Sequence, residues 1–163
     1  MPYVIDASSL IEAKDRYYGF DFCPGYWDWL LRENARGVVF SIDKVGRELE
    51  AGNDDLAVWA KANAANFFLP VDQPTLTAMP HIVTWINGAN FRPQAVPPFL
   101  AGADPFLIAF ALVGGHTVVT DEVFVPGERR SVKIPAVCQQ FNVACIDPFE
   151  MLRREGARLI LHP

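Results

Sequence analysis

Asp6, Glu48, Asp104 and the pair Asp121-Glu122 are the residues whose types and positions could do chemistry together. Carboxylates are hard oxygen donors, so a set of them without His or Cys partners suits Mg2+ or Mn2+ better than zinc. Two such ions about 3.5–4 Å apart clamp the attacking water and the leaving oxygen in phosphodiester hydrolysis. Four bare carboxylates at one place repel strongly, and bound cations relieve that repulsion. Cations also offset a net charge of −5, from 14 Lys and Arg against 19 Asp and Glu, which otherwise argues against a simple electrostatic binder of nucleic acid.

Each acid has a plainer reading that its surroundings must outweigh. Asp6 ends the apolar run Tyr3-Val4-Ile5 and could merely cap the helix that opens at Ala7. Thr120-Asp121-Glu122 could be a polar turn after Thr117-Val118-Val119. Glu48 lies on a helix spaced by Ile42, Val45 and Leu49, which sets it at the edge of the buried face, whereas Glu50 points about 200° away into solvent. Arg47 is the natural ion-pair partner if Glu48 is only a surface acid. Asp104-Pro105-Phe106 reads as a helix opening with Asp at the N-cap and Pro at the first helical position, and Asp147-Pro148-Phe149 repeats the tripeptide at the last helix. What singles out Asp104 is its place before the helix that feeds the Val118-Val119-Thr120 strand.

The elements that must position these acids alternate. Strands are predicted at 3–5, 38–41, 117–120 and 143–146, and helices from Ala7, over 24–36, 42–51, from Asn53-Asp54 to about Phe67, over 74–87 across Pro80, over 104–113, over 135–141 and from Pro148. Pro93, Pro97, Pro98 and Gly102 predict a loop. Short strands apolar on both faces, alternating with helices, predict a parallel sheet between helical layers, an α/β three-layer α/β/α sandwich formed by one domain over 1–163. Ligands of such sheets bind beyond the carboxyl ends of the strands, where the strand order reverses, and that is where these acids would meet.

In order and spacing these pieces resemble the PIN-domain ribonucleases, in particular the single-domain VapC-like toxins of toxin–antitoxin pairs. Val4-Ile5-Asp6-Ala7-Ser8-Ser9-Leu10 is similar to the family's first strand, first acid and following Ser. Glu48-Leu49 before Gly52 resembles the second-acid helix, Asp104 with Phe106-Leu107-Ile108 the third, and Thr120-Asp121-Glu122 the strand with a Thr and an acid two residues on. The resemblance implies a PIN-like sandwich, a Mg2+- or Mn2+-dependent endoribonuclease that cleaves RNA with a metal-activated water, a homodimer, and a cognate antitoxin. It implies Asp6, Glu48, Asp104 and Glu122 as catalytic metal ligands, with Asp121 competing for the fourth place, and Ser8 and Thr120 orienting carboxylates. Arg129, Arg130 and Lys133 on one loop could meet the RNA backbone. The Trp- and Tyr-rich stretch 17–29 and Lys133-Ile134-Pro135 mark a less characterised subgroup, so the alternative is a catalytically weak or inactive PIN-like module that binds RNA or protein.

Other classes fit less well. A receiver domain would need a pair of acids after the first strand, and an aspartyl phosphatase a carboxylate where Ser8 stands. His81, His116 and His162 lack metal-ligand spacing, and Cys23, Cys138 and Cys145 form no C-x-x-C pair. Trp27, Trp29, Trp59 and Trp85 sit on predicted helices and are expected to pack in the core or a dimer interface. The longest apolar run, 106–113, is far below the ~18 residues of a membrane span. With no basic leader at the start, a cytoplasmic protein without membrane attachment is expected.

Overall fold

The computed structural model describes residues 2–162. Five strands, β1 (Tyr3–Ile5), β2 (Val39–Ile42), β3 (Phe68–Leu69), β4 (Thr117–Val119) and β5 (Cys145–Ile146), form one sheet in the order β3-β2-β1-β4-β5. Every neighbouring pair is parallel; Tyr3 pairs with both Val39 and Thr117, and Val118 with Cys145. Helices flank the sheet as the alternation predicts: α1 (Ala7–Glu12), α2 (Pro24–Ala35), α3 (Asp43–Glu50), α4 (Asp55–Ala62), α5 (Gln73–Gly88), α6 (Val96–Ala101), α7 (Asp104–Gly114), α8 (Ile134–Gln140) and α9 (Pro148–Arg154). The architecture is the expected three-layer sandwich, with Val4, Ile5, Leu107, Ile108, Val118 and Val119 fully buried at its centre.

Three stretches differ from the sequence reading. The helix after Asp54 stops at Ala62 instead of near Phe67: the Asn63 side chain donates to the Trp59 carbonyl, the chain turns, and Phe67-Phe68-Leu69 join the sheet as an edge strand, with Ser41 N–H donating to the Phe67 carbonyl. The proline-rich loop is largely helical, with a 3-10 turn at Pro93–Ala95 running into α6. Proline is tolerated in a first turn because the amide it lacks has no helical partner there. Ala13–Tyr17 extends α1 as a π-helical turn. Pro80 does not interrupt α5, which runs through it on an exposed side.

Trp27, Trp29 and Trp59 are buried in the core, and Trp85 is half-buried against it. Trp27 stacks on Phe20 with centroids 4.1 Å apart and meets Trp59 edge-on at 5.1 Å. Cys138 on α8 and Cys145 on β5 are free thiols near enough that the Cys145 thiol and then burial raise the Cys138 pKa, a neighbourhood their spacing did not reveal. Among the described residues no single helix is long and apolar enough to cross a membrane.

The helix α3 is seated on the sheet edge through a glycine. A Cβ built on Gly46 would stand 2.9 Å from the Phe68 ring, whereas one on Gly88, at the end of α5, would meet nothing within 4 Å. Replacing a helical glycine by alanine ordinarily gains about 0.5–1 kcal/mol. Thermal melts should show that gain for Gly88→Ala and a loss for Gly46→Ala, whose added methyl must displace a buried ring; equal gains would show that α3 does not need its close approach to β3.

Candidate active site at the carboxyl edge of the sheet

β1 and β4 lie side by side, and the chain leaves β1 toward β2 on one side and β4 toward β5 on the other, so the strand order reverses between them. Asp6 follows β1 at this point and is 1% exposed. A buried carboxylate needs donors, and Asp6 has three: Ser9 N–H donates to Oδ1 at 2.9 Å, while the Ser8 and Thr120 hydroxyls both donate to Oδ2 at 2.6 Å. The Ser9 bond is also the N-cap of α1, so capping and site geometry coexist in one residue. Burial raises the Asp6 pKa, and the three donors oppose that rise.

Thr120 ties the next acid to the first. Its Oγ1, while donating to Asp6, accepts the Glu122 backbone N–H at 3.1 Å. Glu122 Oε2 accepts the N–H of Ile134 at the start of α8, 3.2 Å away. Burial raises the Glu122 pKa; the Ile134 bond and the nearby Lys133 ammonium lower it, and Asp6 raises it further. Asp121, half-buried, is raised chiefly by burial and then by Asp6.

Asp104 is not the helix cap that its tripeptide predicts. The N-cap position of α7 belongs to Ala103, in helical conformation with φ −75° and ψ −23°, and Asp104 is already the first residue of the helix. At the repeat, Asp147 is the N-cap of α9 in extended conformation and accepts the Glu150 N–H at 2.8 Å. The identical residues Asp-Pro-Phe therefore serve two backbones. What secures the start of α7 is Glu48, whose Oε1 accepts the Ala103 N–H at 2.8 Å. Glu48 is an exposed residue of α3 rather than one at a buried edge, but its carboxylate is held against α7; Arg47 pairs with Asp43 instead. Glu50, also exposed, faces none of these groups.

Freed from capping, the Asp104 carboxylate has no hydrogen-bond donor among the described residues and stands in the field of the other acids. Burial first, then Asp6, Glu122 and Glu48, push its pKa up to about 7. Asp6, Glu122 and Glu48 are thus near enough to act on Asp104 through their charge, and Asp121 is not among the acids that raise it. Glu12, four residues after Ser8 on α1, joins Ser8, Asp121, Glu122 and Lys133 around a hollow of about 370 Å³; the four-residue spacing from Ser8 was the one signal for it. Lys133 belongs to this hollow. Arg129 is pinned by its side chain to Asn90, and Arg130 is exposed on the same loop.

Solved structures share this fold at low sequence identity. FitAcB from Neisseria gonorrhoeae aligns with a TM-score of 0.54 and 18% identity over 90% of this chain and 98% of its own. VapBC2 from Rickettsia felis, bound to a DNA fragment from the promoter, gives 0.54 and 11% over 90% and 98%. FitAB bound to an IR36 DNA fragment gives 0.52 and 16% over 99% of both chains. The chain therefore has the PIN-like fold that these VapBC2 and FitAB structures share. It belongs to the family described as a domain of unknown function, DUF4411, whose model matches residues 3–159. No curated protein matches it.

The resemblance read from the sequence implies a divalent cation, and the donor set suits one: among the described residues Asp104 has no protein donor, and Glu48 and Glu122 each have only one oxygen bonded to an amide. Among the described residues, however, no three His, Cys, Asp or Glu side chains stand close enough together to hold an ion as they are. The chemistry fits, and the spacing is open.

The raised Asp104 pKa sets a direction for stability. From an unfolded value of 3.8 to a folded value of about 7, the folded chain keeps a proton that the unfolded chain has lost. Stability from this group is therefore full below about pH 4 and falls as pH rises to 7. In metal-free buffer Asp104→Asn should melt near wild type at pH 4 and above it at pH 8; melting temperatures that differ equally at both pH values would mean that Asp104 does not feel its neighbours.

Proposed function

We propose that this chain is a divalent-cation-dependent endoribonuclease and the toxin member of a toxin–antitoxin pair, acting as a homodimer on RNA at the edge where Asp6, Glu48, Asp104 and Glu122 face one another. The observation that carries this reading is Asp104. A carboxylate that caps nothing, is left without a donor and is pushed up to about 7 by burial and then by three other acids is costly to the fold and useful to a site. The solved relatives include VapBC2 and FitAB assemblies on DNA, which supports a paired antitoxin for this chain.

Asp104 and Asp6 would hold Mg2+ or Mn2+, with the outer oxygens of Glu48 and Glu122. Such an ion supplies Lewis acidity and neutralises charge on a phosphodiester. The chain's own residues do the rest. Ser8, Ser9 and Thr120 fix the Asp6 carboxylate and favour its ionised form against burial. The Ala103 and Ile134 amides orient Glu48 and Glu122. Asp104 is poised to hold or release a proton near neutral pH.

The open spacing of the acids favours a second reading, a PIN-like module that binds RNA or protein with little or no turnover.

Cleavage of single-stranded RNA separates the two. The nuclease reading expects Mg2+- or Mn2+-dependent cutting that EDTA abolishes, a melting temperature raised by millimolar Mn2+, and a loss of about 100-fold in Glu48→Gln and Asp104→Asn, the usual effect of removing one group that stabilises transition-state charge. Glu50→Gln and Asp147→Asn should cut like wild type. Purified, folded wild type that retains RNA, cuts none of it and shows no heat of Mn2+ binding would establish the binding module instead.

A further inference from the structure

A second hollow adjoins the acids and is lined by the opposite charge. It measures about 310 Å³, and Arg92, Arg129, Arg130 and Glu128 line it along with the Val125–Gly127 turn. Val125 also lines the hollow that contains Ser8, Asp121, Glu122 and Lys133, so the two share a wall. All three arginines are exposed, and none forms a salt bridge among the described residues.

The loop is built to present them. Gly127, at φ +73°, makes the turn, and Glu128 N–H donates to the Val125 carbonyl at 3.2 Å. Arg129 donates from Nε to the Asn90 carbonyl at 2.5 Å and from Nη2 to Asn90 Oδ1 at 2.9 Å, which leaves Nη1 without a partner. The Arg92 N–H donates to the Arg129 carbonyl at 2.9 Å, fixing the segment that carries Arg92 beside the loop. Glu128, the one acid here, turns its Oε1 onto the Arg130 N–H at 2.6 Å rather than onto a guanidinium.

Guanidinium forks match phosphate oxygens in pairs, and three guanidiniums without an acidic partner around a polar hollow, those of Arg92 and Arg130 free of side-chain bonds among the described residues and that of Arg129 held by Asn90, are a site for a polyanion. In a chain of net charge −5, with its acids gathered next door, an approaching nucleic acid needs such a place to be held. We propose that the Arg92–Arg129–Arg130 hollow binds backbone phosphates of the RNA strand whose continuation crosses the acid edge. This rests on the RNA reading above, whether or not the strand is then cut. Arg92, distant in sequence from the other two, belongs to the site as much as they do.

Anisotropy of a labelled oligouridylate, titrated with protein in EDTA at several salt concentrations, tests this without cleavage. Each phosphate contact contributes about 0.7 to the slope of log affinity against log salt on a single strand. Arg92→Gln with Arg130→Gln should lower the slope by about 1.4 and weaken low-salt binding about tenfold or more; Arg129 is left in place because it ties the loop to Asn90. The control pair Arg153→Gln with Arg158→Gln, which removes the same charge elsewhere, should keep the wild-type slope. No binding by wild type, an unchanged slope in the Arg92 and Arg130 variant, or an equal fall in the control would overturn the site. So would displacement of the RNA by polyglutamate as readily as by polyuridylate, which would point to an acidic protein partner. Cutting is scored separately with Mg2+. RNA cut normally by wild type whose binding ignores the arginines overturns this inference alone, and binding through the arginines without cutting overturns only the nuclease.

Discussion

A carboxylate buried between two strands has to be held by donors or lose its charge, and Asp6 imposes that requirement on everything around it. Its three donors come from two separate parts of the chain. Ser8 and Ser9 arrive with α1, and Thr120 arrives at the end of β4, 114 residues later. β1 and β4 must therefore be neighbours in register, and the Ile5 to Val119 pairing achieves this. Because the strand order reverses at the same pair, the buried acid falls where an open parallel sheet leaves a crevice. Thr120 then carries the constraint outward by accepting the Glu122 amide, so the position of the second acid depends on the first.

The other half of the edge is organised by an exchange of roles between helices. A helix start needs acceptors for its free amides. At α9 the local Asp147 supplies one, and at α7 the acceptor comes from another helix, through Glu48. The exchange leaves Asp104 with nothing to cap and three acids for neighbours. It also couples the seat of α3, set by the close approach of Gly46 to Phe68, to the start of α7. Repulsion among these carboxylates destabilises the folded chain, and a cation that binds only the folded form would recover that stability.

Much of the fold was legible in the sequence because strands apolar on both faces and acids at their ends are local signals. The place of Asp6 after β1, of Asp121 and Glu122 beyond β4, and the sheet's parallel character are of that kind, whereas the buried-edge reading of Glu48 fails because that residue is exposed. The edge strand β3 was not legible, since two residues at the end of an Asn- and Ala-rich stretch carry no period and join the sheet only through Ser41 and Ile42. Nor was α6, because prolines clustered at a helix start look the same as prolines in a loop. Asp104 and Asp147 make the limit plainest. Their tripeptides are identical, and what separates them is whether a distant Glu supplies the cap, a fact of tertiary structure. Arg92 was likewise invisible, being brought beside the loop of Arg129 and Arg130 by tertiary packing rather than by any motif.

The central claim is that Asp104 shares one electrostatic centre with Asp6, Glu48 and Glu122. Carbon-13 NMR of the aspartate carboxyl groups, titrated in metal-free buffer and again with saturating Mg2+, measures this at the atom concerned. The account predicts an Asp104 carboxyl that titrates near 7 without metal and well below that value with it, while Asp147 is indifferent to Mg2+. An Asp104 that titrates near the ordinary value of 3.8 without metal, or near 7 regardless of Mg2+, would contradict it.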